Sequence, residues 1–125
     1  MRRHPAMDER PLVWMGSSKR DLLGFPERVV SEMGYALGWA QHGRKHSTAK
    51  HWKGVGARVL EIVEDFDGNA YRAVYTVRFE RAVYVLHCFQ KKSPAGSKTA
   101  RRDIELVRRR LAAAEADYEE RDDQA

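Results

Sequence analysis

The sequence predicts an α+β fold: a small antiparallel sheet with two N-terminal helices packed on one face and a long C-terminal helix. Three observations carry that expectation. Residues 57–92 hold three β-rich runs separated by the short turns "DGN" (67–69) and "ER" (80–81), the pattern of an antiparallel meander. Residues 26–43 repeat apolar side chains at helical spacing through Val29, Val30, Met33, Ala36, Leu37 and Ala40. From Lys98 onward, Ile104, Val107, Leu111, Ala114 and Tyr118 fall on one stripe, opposite Arg101, Arg102, Glu105, Arg108 and Arg109.

In chain order, residues 1–10 are polar and read as a flexible N-terminus, residues 11–121 as a single domain and residues 122–125 as an acidic tail. "PLVWMG" (11–16) reads as a short strand whose leading Pro11 suits a first or edge position, where a missing N–H costs little. Ser17 or Ser18 is a candidate N-cap for a short helical turn that Gly24 and Pro26 break. Pro26 then suits the first turn of the following helix, and Gly43 its end. Gly34 and Gly38 share a face of that helix, and each costs about 1 kcal/mol of propensity relative to alanine. That cost predicts close approach of a neighbouring helix or the sheet. Residues 44–56 form a basic loop, and strands follow at 57–66, 70–79 and 82–92. Strict alternation puts His87, Phe89 and Lys91 on the face of Val83 and Val85. With the helices on one side of the sheet, the other side is open to a ligand.

The chain has 125 residues, enough for one modest core. No apolar run approaches the roughly 20 residues a membrane span needs, and the N-terminus has no apolar signal segment. These features point to a cytoplasmic protein with no membrane partner. The single cysteine, Cys88, excludes an intramolecular disulfide and a cysteine-rich zinc site, and its apolar strand predicts a buried thiol. His42, His46 and His51 have no carboxylate or cysteine completing a set at ligand spacing, so no metal is expected. The formal charge of +5 is uneven. Residues 111–125 hold six acids and one arginine, a net −5, which leaves +10 on residues 1–110. Such a body suits an anionic partner, most commonly nucleic acid. The acidic end is expected to stay solvated.

Four segments together resemble a known family: "GYALGWAQHG" (34–43), "AKHWKGVGARVLEI" (49–62), "AYRAVYTVRF" (70–79) and "YVLHCFQKKS" (84–93). In this order and spacing the chain is similar, from about residue 12 to 110, to HigB-type toxins of the RelE/ParE superfamily, in their phage-derived branch. The resemblance implies a twisted RelE-like sheet and a toxin neutralised by a cognate antitoxin. It further implies a ribosome-dependent endoribonuclease that cuts mRNA. ParE-type relatives inhibit gyrase instead, so a gyrase-directed or purely binding toxin is the alternative.

Metal-free RNA cleavage needs a base near the 2′-hydroxyl, cations on the phosphoryl oxygens and an acid for the leaving oxygen. Arginine, lysine and histidine suffice, so no cofactor is expected. The resemblance places Arg72, after Tyr71, where the family carries its phosphate-binding arginine. A guanidinium can grip phosphate bidentately, or pair across the hairpin with Glu61 or Glu64. Lys91 and Lys92 end the last strand, where the family tends to place a catalytic cation, and adjacent residues there face opposite sides. His87 can act as acid or base near neutral pH, or rest half-buried on a neighbouring acceptor. Lys50, His51, Lys53 and Arg58 lie in or beside the basic loop, as candidate RNA contacts. Tyr75 and Trp52 can stack on a base or belong to the core. The chain lacks the tyrosine and arginine arrangement that RelE carries after its last strand, which leaves open which residue is base and which is acid.

Overall fold

The computed structural model describes residues 9–91 and 100–124. Eight elements follow one another: β1 (Leu12–Trp14), α1 (Ser18–Leu23), α2 (Glu27–Gln41), β2 (Ala49–His51), β3 (Val59–Phe66), β4 (Asn69–Thr76), β5 (Val83–Lys91) and α3 (Arg101–Gln124). The α+β class, the meander, the N-terminal helix pair and the long last helix are as expected. The hairpin between β3 and β4 turns on Asp67 (φ 53°) and Gly68 (φ 80°). Both central residues are left-handed, the twist that matches the flanking strands.

The sheet departs from the expectation in two ways. Its order is β1-β5-β4-β3-β2, and β1 runs parallel to β5, so the sheet is mixed. β1 fills the open edge of β5, where Met15 N–H also donates to the Val85 carbonyl at 2.9 Å. Its direction depends on the path through α1 and α2, which local pattern does not encode. The second difference is β2, found inside the expected basic loop. It is three residues long and pairs antiparallel with β3, Lys50 opposite Glu61. So short a strand has no alternation to read and exists because β3 offers an edge.

Two cores form, one on each side of the sheet. α1 and α2 supply Leu22, Val29, Met33, Ala36, Leu37 and Ala40, which meet Leu60, Ile62, Ala73, Tyr75, Val83 and Val85. On the opposite face α3 packs Val107, Leu111 and Ala114 against Trp52, Val59, Val74, Phe79, Tyr84 and Leu86. The second face is therefore not open throughout, contrary to the expectation from sequence that all helices share one side. α3 covers the half nearest Val59 and Tyr84, and the half bearing Glu61 and Arg72 lies beyond its apolar stripe. The acidic end is not simply solvated. The Tyr84 hydroxyl donates to Asp117 Oδ2 at 2.6 Å, Arg121 Nε donates to the same oxygen at 2.6 Å, and Arg81 pairs with Asp122. These contacts hold the Asp117 carboxyl below its usual range, the Tyr84 hydrogen bond first.

β5 contains a bulge. Val74 pairs with His87 but Tyr75 pairs with Val85, so Leu86 is an extra residue. Beyond it the facing of β5 is reversed. Val83 and Val85 face α2, whereas Leu86 and Phe89 pack in the α3 core. The expectation that His87 shares the Val83 and Val85 face therefore fails, because strict alternation does not hold through a bulge. Arg110 Nη1 on α3 donates to the Leu86 carbonyl at 2.9 Å, supplying the bulged residue with a hydrogen-bond partner.

Gly34 and Gly38 do not mediate close packing. A Cβ at either would meet nothing within 4 Å. Neither has a left-handed backbone, so alanine fits both. Gly34→Ala is expected to stabilise the fold by about 0.5–1 kcal/mol through helix propensity alone, read as a rise in the urea midpoint with unchanged slope.

Candidate functional site

The half of the α3-side face beyond the helix carries a row of charges across four strands. Lys50 (β2) lies directly opposite Glu61 (β3). Arg72 (β4) is on the neighbouring diagonal, opposite Val63 and Phe89, and Lys91 (β5) is one diagonal further. Cross-strand diagonals are within reach of long side chains. Arg72 Nη1 donates to Glu61 Oε1 at 2.6 Å, and Lys50 Nζ stands 3.9 Å from Glu61 Oε2. Burial lowers the Lys91 pKa, and the charges of Arg72 and Lys50 lower it further against the opposing pull of Glu61. Lys91 is thus electrostatically part of the same group.

Arg72 and Glu61 are both largely withdrawn from solvent, with side-chain exposures of 13% and 6%. Of the two possible Arg72 pairings, Glu61 is the one formed; Glu64, opposite Tyr71, faces the other way. The pair leaves Arg72 Nε buried without a partner. Lys50 keeps 63% of its side chain exposed, so the row runs from a solvated rim into a shielded centre.

His87 sits at the boundary between this row and α3. Its Nε2 is 2.8 Å from Asp103 Oδ1, and its ring stacks on Phe89 at 4.5 Å with planes 17° apart. Desolvation depresses its pKa, opposed by the hydrogen bond to Asp103, so the neutral ring donates from Nε2. Nδ1 is then a buried lone pair with no partner. This geometry fastens the first turn of α3 to β5. Among described residues, Arg72 Nε and His87 Nδ1 are the buried side-chain nitrogen or oxygen atoms that lack a hydrogen bond. Each such group costs about 1–3 kcal/mol, and both belong to this corner of the sheet.

The remaining sequence candidates are divided. His51, Arg58 and Tyr75 face the α2 side and line a pocket of about 310 Å³ together with Arg10, Arg44 and Lys45. Tyr75 is buried to 1% exposure, a wall of that pocket rather than an open stacking surface, and desolvation pushes its hydroxyl up to about 12. Trp52 is core. Lys53 is exposed beyond the end of β2 and lines neither group. Lys92 lies outside the described residues. Among the described residues no three His, Cys, Asp or Glu side chains gather as a metal site, and no helix is long and apolar enough to cross a membrane. Cys88 is buried, and burial pushes its thiol up to about 12, as inert as the sequence suggested.

Sequence reasoning missed several participants. Asp103 and Arg110 reach β5 from α3, and Arg10 and Arg44 join the α2-side pocket. The sequence gives only their charges as a signal, since each meets its neighbours through long-range packing.

Two outcomes follow. Glu61→Gln should destabilise the fold by about 3 kcal/mol, because Arg72 is left buried and uncompensated, whereas Glu61→Leu with Arg72→Met should be near neutral; urea denaturation of both variants checks this. For His87 the folded pKa lies below the unfolded value of about 6.5. Its contribution is therefore full above that pH and is lost as pH falls from there through the lower folded pKa. Between pH 7.5 and 5, the thermal midpoint of the wild type should fall more than that of His87→Gln.

Comparison with known proteins bears on the identity of the chain. The model of the family described as phage-derived protein Gp49-like (DUF891) matches residues 20–112. A search of curated proteins finds no match. Among solved structures, the chain is similar to one in the crystal structure of the toxin–antitoxin complex RelBE2 from Mycobacterium tuberculosis. It shares 17% identity over 70% of this chain and 97% of that one, with a TM-score of 0.47. That likeness is too loose to carry function. The family match spans most of α1, all of α2, the four strands β2–β5 and the first half of α3, and the chain belongs to the phage-derived Gp49-like family.

Proposed function

We propose that this chain is a HigB-like toxin whose Lys50–Glu61–Arg72–Lys91 face cleaves RNA without a metal. The observation that carries this reading is the row of charges across four strands, three cations around Glu61 with a shielded arginine among them. Family membership and the sequence resemblance to HigB-type toxins support it.

In this reading the 2′-hydroxyl of the substrate attacks the adjacent phosphorus. The 2′-O–P bond forms and the P–O5′ bond breaks, leaving a 2′,3′-cyclic phosphate and a 5′-hydroxyl. Arg72 exchanges part of its bond to Glu61 for the phosphoryl oxygens, where a guanidinium in a shielded site counts for more than in water. Lys50, at the exposed rim, draws the strand in. Lys91, whose pKa is lowered first by burial, is the candidate for proton transfer. His87 positions the start of α3 beside the site. The ribosome would present the mRNA, and a cognate antitoxin with an acidic segment would cover the cations of the +10 body.

Inducible expression of wild type and Arg72→Ala, with pulse labelling of protein synthesis and mapping of mRNA 5′ ends, tests this. Wild type should arrest translation within minutes and create new mRNA ends. Arg72→Ala should reduce cleavage by about 100-fold or more. Growth arrest with intact mRNA would instead sink the nuclease reading and favour a gyrase-directed or binding toxin.

A further inference from the structure

The α2-side pocket lies on the opposite face of the sheet from Arg72 and takes no part in the chemistry above. It brings Arg10, Arg44, Lys45, His51 and Arg58 around a cavity of about 310 Å³ floored by Leu60, Tyr75 and Val77, with no carboxylate in its lining. The guanidinium groups of Arg10, Arg44 and Arg58 make no ion pair among the described residues.

The backbone that carries these cations is firmly held. Arg10 N–H donates to the Gln41 carbonyl at 2.9 Å, and Gln41 Nε2 donates back to the Arg10 carbonyl at 2.6 Å. Arg44 N–H donates to the Trp39 carbonyl at 2.8 Å. The Arg58 carbonyl accepts from Val77 N–H at 3.1 Å and from Thr76 Oγ1 at 2.8 Å, in a left-handed backbone conformation (φ 65°) uncommon outside glycine. Attraction to the C-terminal end of α2 accounts for Arg44 and Lys45. It does not account for Arg58, which arrives from the β2–β3 connection.

We propose that this pocket is a second anion site, built for the phosphate of a nucleotide. Arginine forks match phosphate oxygens, and several of them without an acid nearby favour a concentrated charge. Leu60, Tyr75 and Val77 give the pocket an apolar wall beside its cations, which suits a nucleotide with both an apolar and an anionic part better than an acidic peptide. Beside the pocket in sequence, Tyr35, Trp39 and His46 form a mutual cluster of rings at centroid distances of 5.3–6.3 Å, and Tyr35 is 59% exposed. Cations near a ring cluster with one exposed member are a combination that single-stranded nucleic acid recognition uses. β2 joins the two faces: Lys50 points to the Arg72 side and His51 to the pocket. The inference stands whether or not the Arg72 face cleaves RNA.

The test is amide chemical-shift titration of the full chain, with adenosine monophosphate and then a hexadeoxynucleotide, which lacks the attacking 2′-hydroxyl. Shifts should appear at Gly43, Arg44, Arg58 and Val77 and persist in Arg72→Ala. Arg44→Gln with Arg58→Gln should weaken this binding at least tenfold and lower its salt slope by about 1.4, leaving shifts at Lys50 and Lys91 unchanged. Arg44→Gln alone, an exposed substitution, serves if the double variant misfolds. Saturation by the mononucleotide would identify a free-nucleotide site, and response to the oligonucleotide alone a strand-binding site. The proposal is overturned if shifts stay on the Arg72 face, if they survive the pocket substitutions, or if a hexaglutamate peptide binds the pocket more tightly than either nucleotide.

Discussion

The bulge at Leu86 is the constraint on which the rest of the site depends. One extra residue in β5 reverses the facing of every residue after it. Without it, His87, Phe89 and Lys91 would point at α2, into a core of valine, leucine and methionine. With it, they share the face of Glu61 and Arg72. Arg110 bonds the carbonyl of the bulged residue, and its Nη2 also reaches Ser17 Oγ at 3.3 Å. α3, β5 and the start of α1 are thus joined around one irregularity. Bulges commonly re-aim side chains next to functional sites, and this one assembles the charged half of the sheet.

The Glu61–Arg72 pair is the second organising contact. Two charges taken from water must satisfy each other, and a short hydrogen-bonded contact achieves this at the expense of mobility. The pair keeps Arg72 extended along the sheet without a ligand. In the proposed reaction an anion has to compete with Glu61 for Arg72. Positive charge is supplied on both sides of Glu61, by Lys50 and Lys91, so a bound phosphate would face more cations than the carboxylate alone can neutralise. A buried acid within a basic row restrains the repulsion among its cations.

The two faces of the sheet divide the cations between them. β2 is responsible, because an edge strand of three residues sends Lys50 one way and His51 the other. Reading residues 44–56 as one basic loop treated those side chains as a single contact surface. Pairing with β3 separates them by the thickness of the sheet. Lys50 joins Arg72, while His51 joins Arg58 and the residues at the end of α2. The same separation explains why Tyr75, next to Val74 in sequence, belongs to the pocket and not to the charged row.

The sequence by itself determined the elements whose signals are local. The α2 and α3 stripes, the Asp67–Gly68 turn and the meander follow from 3.6- and 2-residue periods and from residues that tolerate positive φ. Arg72 was a site candidate through the family resemblance of "YR", and Glu61 was one of its two possible cross-hairpin partners. Tertiary structure alone decided the parallel direction of β1, the existence of β2 and the phase of β5, since each depends on a neighbour far along the chain. It also decided that His87 meets Asp103, that Arg110 meets Leu86, and that Arg10 and Arg44 converge with Arg58. These contacts join charged or polar side chains to partners 16 and 24 residues away or drawn from different elements. Charged residues fit many surfaces equally well, so their spacing carries no record of which partner the packed core will bring within reach.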